Sequence, residues 1–233
     1  MPLSKLVRRR AGFAAQFALA VCASFGGVSL SMASNQPLLV ITGASYAASW
    51  KTPALPGYTV INKGKGGDDT QQVLARFDAE VLALKPHTVL IWGHINNYHR
   101  APGGDLEAAK KQAWEDTHEM IRRARDQGIS VILATEITLS EAVGFTNRVM
   151  AFINGLRGKT SYAARINEPV RAVNSRIRQY AREHGLRVLD IEKLFDDGEG
   201  FRKVEYSDDD GSHVSAAGYA ALTAYALKEL GGR

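Results

Sequence analysis

Five short apolar runs punctuate the chain: LLVIT at 38–42, YTVIN at 58–62, TVLIW at 88–92, SVILA at 130–134 and RVLDI at 187–191. Each run is continuous rather than alternating. A strand with one wet face alternates apolar and polar residues, so unbroken runs point to strands covered on both faces, the usual state of a parallel sheet. Helical patterns lie between them: DDTQQVLARFDAEVLAL at 68–84, EAAKKQAWEDTHEMIRRARDQG at 107–128, EPVRAVNSRIRQYAREHG at 168–185 and SAAGYAALTAYALKEL at 215–230. The first has an acidic, cap-like start, and the second and third stop at glycine. Strands alternating with helices of this length predict an α/β fold, a three-layer α/β/α sandwich with right-handed crossovers. The less regular stretch AVGFTNRVMAFINGLRG at 142–158 reads as a further, peripheral helix.

The first 33 residues follow different rules. Lys5, Arg8, Arg9 and Arg10 precede the apolar segment AGFAAQFALAVCASFGG, and SMA closes at Ala33 with small residues at the first and third positions. A basic head, an apolar middle and an A-x-A-like end make a signal peptide, so residues 1–33 are expected to be removed and 34–233 to form one exported domain, periplasmic or secreted. The apolar middle is interrupted by Gln16, Gly26 and Gly27. It is shorter than the roughly 20 residues that span a bilayer, and no membrane span is expected in the mature chain.

Setting the leader aside changes the charge balance. It holds four of the 29 basic residues and none of the 24 acidic ones, so the remainder carries 25 against 24. The basic character of the full chain is a property of its leader and supplies no reason to expect a nucleic-acid partner. The one cysteine, Cys22, also lies there, which leaves the domain with no thiol nucleophile and no disulfide.

In a doubly wound sheet, ligands sit beyond the carboxyl ends of the strands. After the first run comes Ser45. The second is followed by NKGKGGDD, with Asn62, Gly64, Gly66 and Gly67, and the third by GHINN, with His94, Asn96 and Asn97. Near the end of the chain, Asp210 and His213 stand three apart in DDDGSHVSAAGY. Each has a plain structural reading: a serine at a strand-to-helix junction is a good N-cap, an acidic run such as SDDD is a solvated loop, and a histidine can be a buried hydrogen-bonded group.

Taken together, the four segments contain what attack on an ester needs. A serine hydroxyl is a weak nucleophile until a neighbouring imidazole removes its proton, a role for His213, with Asp210 orienting the ring. The tetrahedral intermediate gathers charge on one oxygen, and the backbone N–H groups of Ser45 and Gly67 with the Asn96 amide are candidate donors to it. His94 and Asn97 are candidates for substrate contact. Gly66 and Gly67 lack the G-K-S/T ending of a phosphate loop, the remaining histidines have no ligand spacing, and neither cofactor nor metal is expected.

These segments resemble, in order, the blocks of the GDSL/SGNH hydrolase family. ITGAS is similar to its first block with Ser45 as nucleophile, NKGKGGDD to its second with Gly67 in the oxyanion hole, GHINN to its third with Asn96 there, and DGSHVSAAGY to its last with Asp210 and His213. Ala44 stands where the family usually has aspartate, His94 where glycine is commoner, and Asn97 where aspartate is commoner. The resemblance implies a flavodoxin-like sheet of five parallel strands, structural roles for Asn174 and Asp190, and a serine esterase working through an acyl-enzyme. The substrate classes it implies are small-molecule, lipid or acylated-sugar esters. An acyltransferase with the same triad and a non-catalytic carbohydrate- or envelope-binding protein are the alternatives. The enzyme reading expects Ser45 Oγ and a ring nitrogen of His213 to approach to roughly 3 Å, with allowance for looseness in an unliganded structure.

Overall fold

The computed structural model of the chain describes residues 36–141 and 160–231. The leader expected at 1–33 and the helix expected at 142–158 lie outside them. Five parallel strands form one sheet in the order β2-β1-β3-β4-β5: β1 (Leu38–Gly43), β2 (Thr59–Gly64), β3 (Thr88–Trp92), β4 (Ser130–Ala134) and β5 (Arg187–Leu189). The apolar runs are the strands. β3 is buried at every position and β1 at all but its first, whereas the edge strand β2 is partly exposed throughout. Continuous hydrophobicity thus tracks burial on both faces.

The helices are α1 (Ser45–Ser49), α2 (Thr70–Glu80), α3 (Ile95–His99), α4 (Leu106–Asp126), α5 (Tyr162–His184), α6 (Ile191–Phe195) and α7 (Ala216–Gly231). Their starts are built by side chains. At α2, Asp69 Oδ1 accepts from the Gln72 N–H at 3.0 Å while Gln72 Oε1 accepts from the Asp69 N–H at 3.1 Å, a reciprocal capping box. Asp105 caps α4 through the Ala108 N–H at 3.0 Å. The helical pattern read from the sequence for α5 opens at Glu168. The helix instead begins at Tyr162 and carries Pro169 inside it. Ser161 Oγ accepts from the Ala164 N–H at 3.1 Å, and buried Ala163, Ile166 and Asn167 hold these early turns on the core. Asn167 alone exchanges two hydrogen bonds with the backbone of Leu139, at 2.7 and 2.9 Å.

The chain leaves β1 for β2 on one side of the sheet and returns to β3 on the other. The carboxyl ends of β1 and β3 therefore flank the topological switch point, where such sheets open a crevice. Residue pairing runs to the very ends, with Gly43 opposite both Gly64 and Trp92. Beneath it, Trp92 meets Tyr46 at 6.2 Å and Trp50 edge-on at 6.1 Å, between ring centroids. Among the described residues, no helix is long and apolar enough to cross a membrane.

Candidate active site

Ser45 is the first residue of α1, directly beyond β1. The N-cap position belongs to Ala44, and no side-chain capping bond is made at this end. The reading of Ser45 as a helix cap therefore fails, and its half-buried hydroxyl is left for other work. Asn62 of β2 secures the far end of the same short helix: its Nδ2 donates to the carbonyls of Ala47 and Trp50 at 2.7 and 2.8 Å, and its Oδ1 accepts from the Gly64 N–H at 2.8 Å. Two helix-end acceptors that would otherwise lack partners are satisfied this way.

Asp210 and His213 occupy the loop that precedes α7. Asp210 Oδ1 accepts from the backbone N–H groups of Ser212 and His213, both at 2.8 Å, and Oδ2 is paired with His213 Nδ1. Burial would raise the Asp210 carboxyl, but the hydrogen bonds from the His213 ring and from the two N–H groups outweigh it and hold the group well below the usual carboxylate range. The aspartate is thus ionised at neutral pH and fixes the ring by Nδ1, leaving Nε2 as the nitrogen able to face a nucleophile.

The loop is brought to α1 by the residue after the serine. Tyr46 Oη donates to the Ser212 carbonyl at 2.6 Å, and Tyr219 Oη of α7 donates to the Tyr46 carbonyl at 3.1 Å. No hydrogen bond joins Ser45 and His213 among the described residues. Ser212 Oγ lies 3.3 Å from His213 Nδ1, and the histidine side chain is 59% exposed. An exposed ring without substrate has little to hold it against the hydroxyl, and catalytic hydrogen bonds commonly tighten only on ligand binding.

On the other side of the crevice, Gly67 sits in the β2–α2 turn with φ +82°, a backbone conformation that glycine adopts without strain. Among the described residues, nothing accepts from its N–H. Asn96 Nδ2 donates to the Asp68 carbonyl at 2.8 Å, which ties α3 to that turn and uses one of the two amide hydrogens.

His94 and Asn97, the expected substrate contacts, are both buried and hydrogen-bonded within the protein. Asn97 exchanges bonds with Thr70, accepting from its N–H at 3.1 Å and donating to its Oγ1 at 2.8 Å, so it anchors α3 to the start of α2. His94 is 3% exposed, with Nδ1 2.9 Å from Tyr98 Oη and Nε2 3.3 Å from Asn174 Oδ1. Asn174 itself is oriented by Glu136, whose N–H donates to Oδ1 at 2.7 Å and whose carbonyl accepts from Nδ2 at 2.9 Å. Because Oδ1 only accepts, His94 Nε2 carries the proton and Nδ1 receives the tyrosine hydroxyl. The GHINN segment is locked from below by these bonds.

Burial pushes the His94 pKa down to about 4, against a weaker opposing effect of the Asn174 hydrogen bond. Between the ordinary histidine value near ~6.5 and the folded value, the unfolded chain binds the extra proton, so stability falls with falling pH. A difference between the ordinary 6.5 and about 4 corresponds to about 3 kcal/mol at ~1.36 kcal/mol per unit. Urea unfolding at pH 7, 5.5 and 4 is expected to show this decline, and its largest part should vanish in His94→Gln. An identical pH slope in both proteins would exclude the assignment.

Three charged groups under the site, Glu136 and Arg202 buried and Arg76 half-buried, are absent from the sequence candidates. Arg76 donates to the carbonyls of Gly43 and Lys63 at 2.9 and 2.7 Å and to Asp68 at 2.8 Å, joining the ends of β1 and β2 to the Gly67 turn. Glu136, fully buried just beyond β4, accepts from the N–H groups of His94 and Ile95 at 2.6 and 3.0 Å through one oxygen and of Ile137 at 3.0 Å through the other. Burial pushes its carboxyl up, and those N–H bonds pull the other way. The carboxylate absent at Ala44 is thus matched by one that braces the β3–α3 turn from β4. Its signal was present as TEIT after SVILA, the fourth strand end. Arg202, 1% exposed, lies under the Asp210 loop and had no sequence signal at all.

A cleft of about 260 Å³ opens beside that loop, with His99, Leu139, Ser140, Tyr162, Asp210 and Ser212 among its walls. Asp190 pairs instead with Arg178 at 2.6 Å at the β5 edge. Among the described residues, no three His, Cys, Asp or Glu side chains cluster as metal ligands.

The model of the GDSL-like Lipase/Acylhydrolase family matches residues 39–221. No curated protein sequence matches the chain. Among solved structures, a GDSL-like lipase from Bacteroides thetaiotaomicron is 20% identical, with TM-score 0.61 over 82% of this chain and 86% of the other. The lipase/acylhydrolase from Enterococcus faecalis is 24% identical, with TM-score 0.59 over 84% and 95%. An acetyl xylan esterase, AlAXEase, is 16% identical, with TM-score 0.59 over 82% and 98%. At such identities the structures establish a common fold.

Proposed function

The chain belongs to the GDSL-like lipase/acylhydrolase family of ester-cleaving serine hydrolases, and on that footing we propose that Ser45 is its nucleophile, His213 its general base and Asp210 the group that orients the base. Ser45 Oγ attacks the ester carbonyl carbon as its proton passes to His213 Nε2. The same proton goes to the departing alcohol, and water activated by His213 releases the acid from the acyl-enzyme. The N–H groups of Ser45 and Gly67 and the free amide hydrogen of Asn96 receive the oxyanion. Each such donor is worth about 2.7–4 kcal/mol in the transition state, because it meets full negative charge only there.

The observation that carries this reading is the Tyr46 hydrogen bond to the Ser212 carbonyl. It draws the Asp210–His213 loop against the helix that presents Ser45. An acetylated sugar ester has a precedent in the acetyl xylan esterase of like fold, and a small or accessible ester is favoured over a buried triglyceride. The leader pattern supports action in the periplasm or outside the cell.

An alkyl fluorophosphonate tests the assignment. One adduct on Ser45 by peptide mass spectrometry, accumulating as hydrolysis of p-nitrophenyl acetate is lost, is the expected result. An unlabelled protein, or an adduct elsewhere that tracks the activity, would refute it. A series from acetyl to long acyl esters, run beside acetylated glycans and with added alcohol acceptors, then defines the acyl group and separates hydrolysis from transfer.

A further inference from the structure

Arg202 is among the largest fully buried side chains, and among the described residues no carboxylate lies within salt-bridge distance of it. A guanidinium in such a place normally has a carboxylate partner, since burying an unpaired charge is costly. This one is spent on the backbone and hydroxyl of a single loop. Nε donates to Ser207 Oγ at 2.8 Å, and Nη2 donates to the Gly211 carbonyl at 2.8 Å. Its own N–H donates to the Leu139 carbonyl at 3.1 Å. The guanidinium carbon also lies 5.9 Å from the centre of the Tyr46 ring. Nη1, fully buried, has no hydrogen-bond partner among the described residues.

Gly211 lies between Asp210 and Ser212, so the peptide that Arg202 grips joins the loop's carboxylate to the residue that Tyr46 grips. Ser140 Oγ adds a second bond to the same Gly211 carbonyl at 3.1 Å. The loop is otherwise exposed at Asp208, Asp209, Asp210 and His213. Its hold on the body of the protein is concentrated on this carbonyl, on Ser207 and on the Tyr46–Ser212 bond. Planar, forked donors suit such a task, because they fix direction as well as distance.

We propose that Arg202 is a positioning residue of the esterase: it holds the Asp210–His213 loop at the rim of the crevice, from which the imidazole reaches Ser45 when substrate binds. The inference rests on the triad assignment above. It concerns the approach of base to nucleophile, and therefore turnover more than ground-state substrate binding. Lysine would keep the charge and one donor direction but lose the fork. Methionine would fill the volume and lose both.

The test is a double-mutant cycle between Arg202 and Asp210, with the fluorophosphonate rate at Ser45 read beside kcat and KM. Arg202→Met is expected to lower kcat and the labelling rate by about 100-fold, as for a misplacement of roughly an ångström, with KM within about threefold. Arg202→Lys is expected to recover part of the loss. Combined with Asp210→Asn, either variant should cost little beyond Asp210→Asn alone, because both act through the same ring. Losses that multiply, or an Arg202→Met protein that labels at the wild-type rate, overturn the inference. If Arg202→Met does not fold, the cycle is run with Arg202→Lys under the same criteria. Failure of the wild-type protein to be labelled at Ser45 instead removes the triad assignment, an outcome distinguishable from equal labelling of wild type and variant.

Discussion

Ser45→Ala is expected to reduce kcat for ester hydrolysis by at least about 10⁴-fold while leaving the melting temperature nearly unchanged. The size follows from the chemistry: without the hydroxyl there is no acyl-enzyme, and what survives is the contribution of binding and oxyanion donors to direct attack by water. In free energy this is about 5.5 kcal/mol or more, at ~1.36 kcal/mol per decade. The stability expectation comes from the position. Ser45 caps nothing and is half exposed at the first turn of α1, so losing its oxygen leaves no buried group unsatisfied. Alanine is also a better helix former than serine by some tenths of a kcal/mol. Activity retained within tenfold, with the protein folded, would exclude Ser45 as the nucleophile.

The second large effect is on folding itself. Gly43→Ala is expected to leave little or no soluble native protein. A Cβ at position 43 would stand 1.6 Å from the Trp92 carbonyl oxygen and 2.7 Å from its carbon, with the Ala47 side chain at 3.2 Å on the way out. The backbone there has φ +153°, a region that side chains rarely enter. Relief by a local shift is blocked, because β1 is hydrogen-bonded to β2 on one side and β3 on the other up to this residue. The cost is expected to exceed about 4–5 kcal/mol, a large part of the ~5–15 kcal/mol that stabilises a domain. Circular dichroism and thermal melting check it. A cooperative transition within a few degrees of wild type would contradict the steric argument. The same closeness explains why β1 and β3 can end side by side, with Ser45 and Asn96 delivered to one crevice.

The architecture was legible because it depends on periodicity. Each apolar run became a strand, and the helix ends at Gly128 and Gly185 lie where positive φ was needed. The order of the strands required the switch-point pattern that the family blocks imply. α5 starts six residues ahead of the pattern read at 168–185, held there by capping at Ser161 and by burial of the turns ahead of Pro169. Local propensity loses where tertiary contacts are this dense.

Chemical motifs were legible in identity but less so in role. His94 and Asn97 share a segment with Asn96, yet a five-residue helix turns successive side chains to different sides, and only Asn96 is left partly open to the crevice. Sequence spacing alone does not distinguish the sides of so short an element. Arg76 and Arg202 were missed for another reason: each acts largely by gripping backbone carbonyls, Arg76 those of Gly43 and Lys63 and Arg202 that of Gly211, and backbone acceptors leave no trace in residue identity. Glu136 was within reach of the same inspection that found Ser45, at the end of the fourth strand.

The bond from Tyr46 to Ser212 spans 166 positions, and Trp50 reaches Thr223 across 173. Contacts between the opening and closing segments of a polypeptide form late in biosynthesis, since the ribosome must release one before the other can dock. A nascent chain therefore carries Ser45 long before the residues at 210–213 that the Tyr46 bond draws toward it.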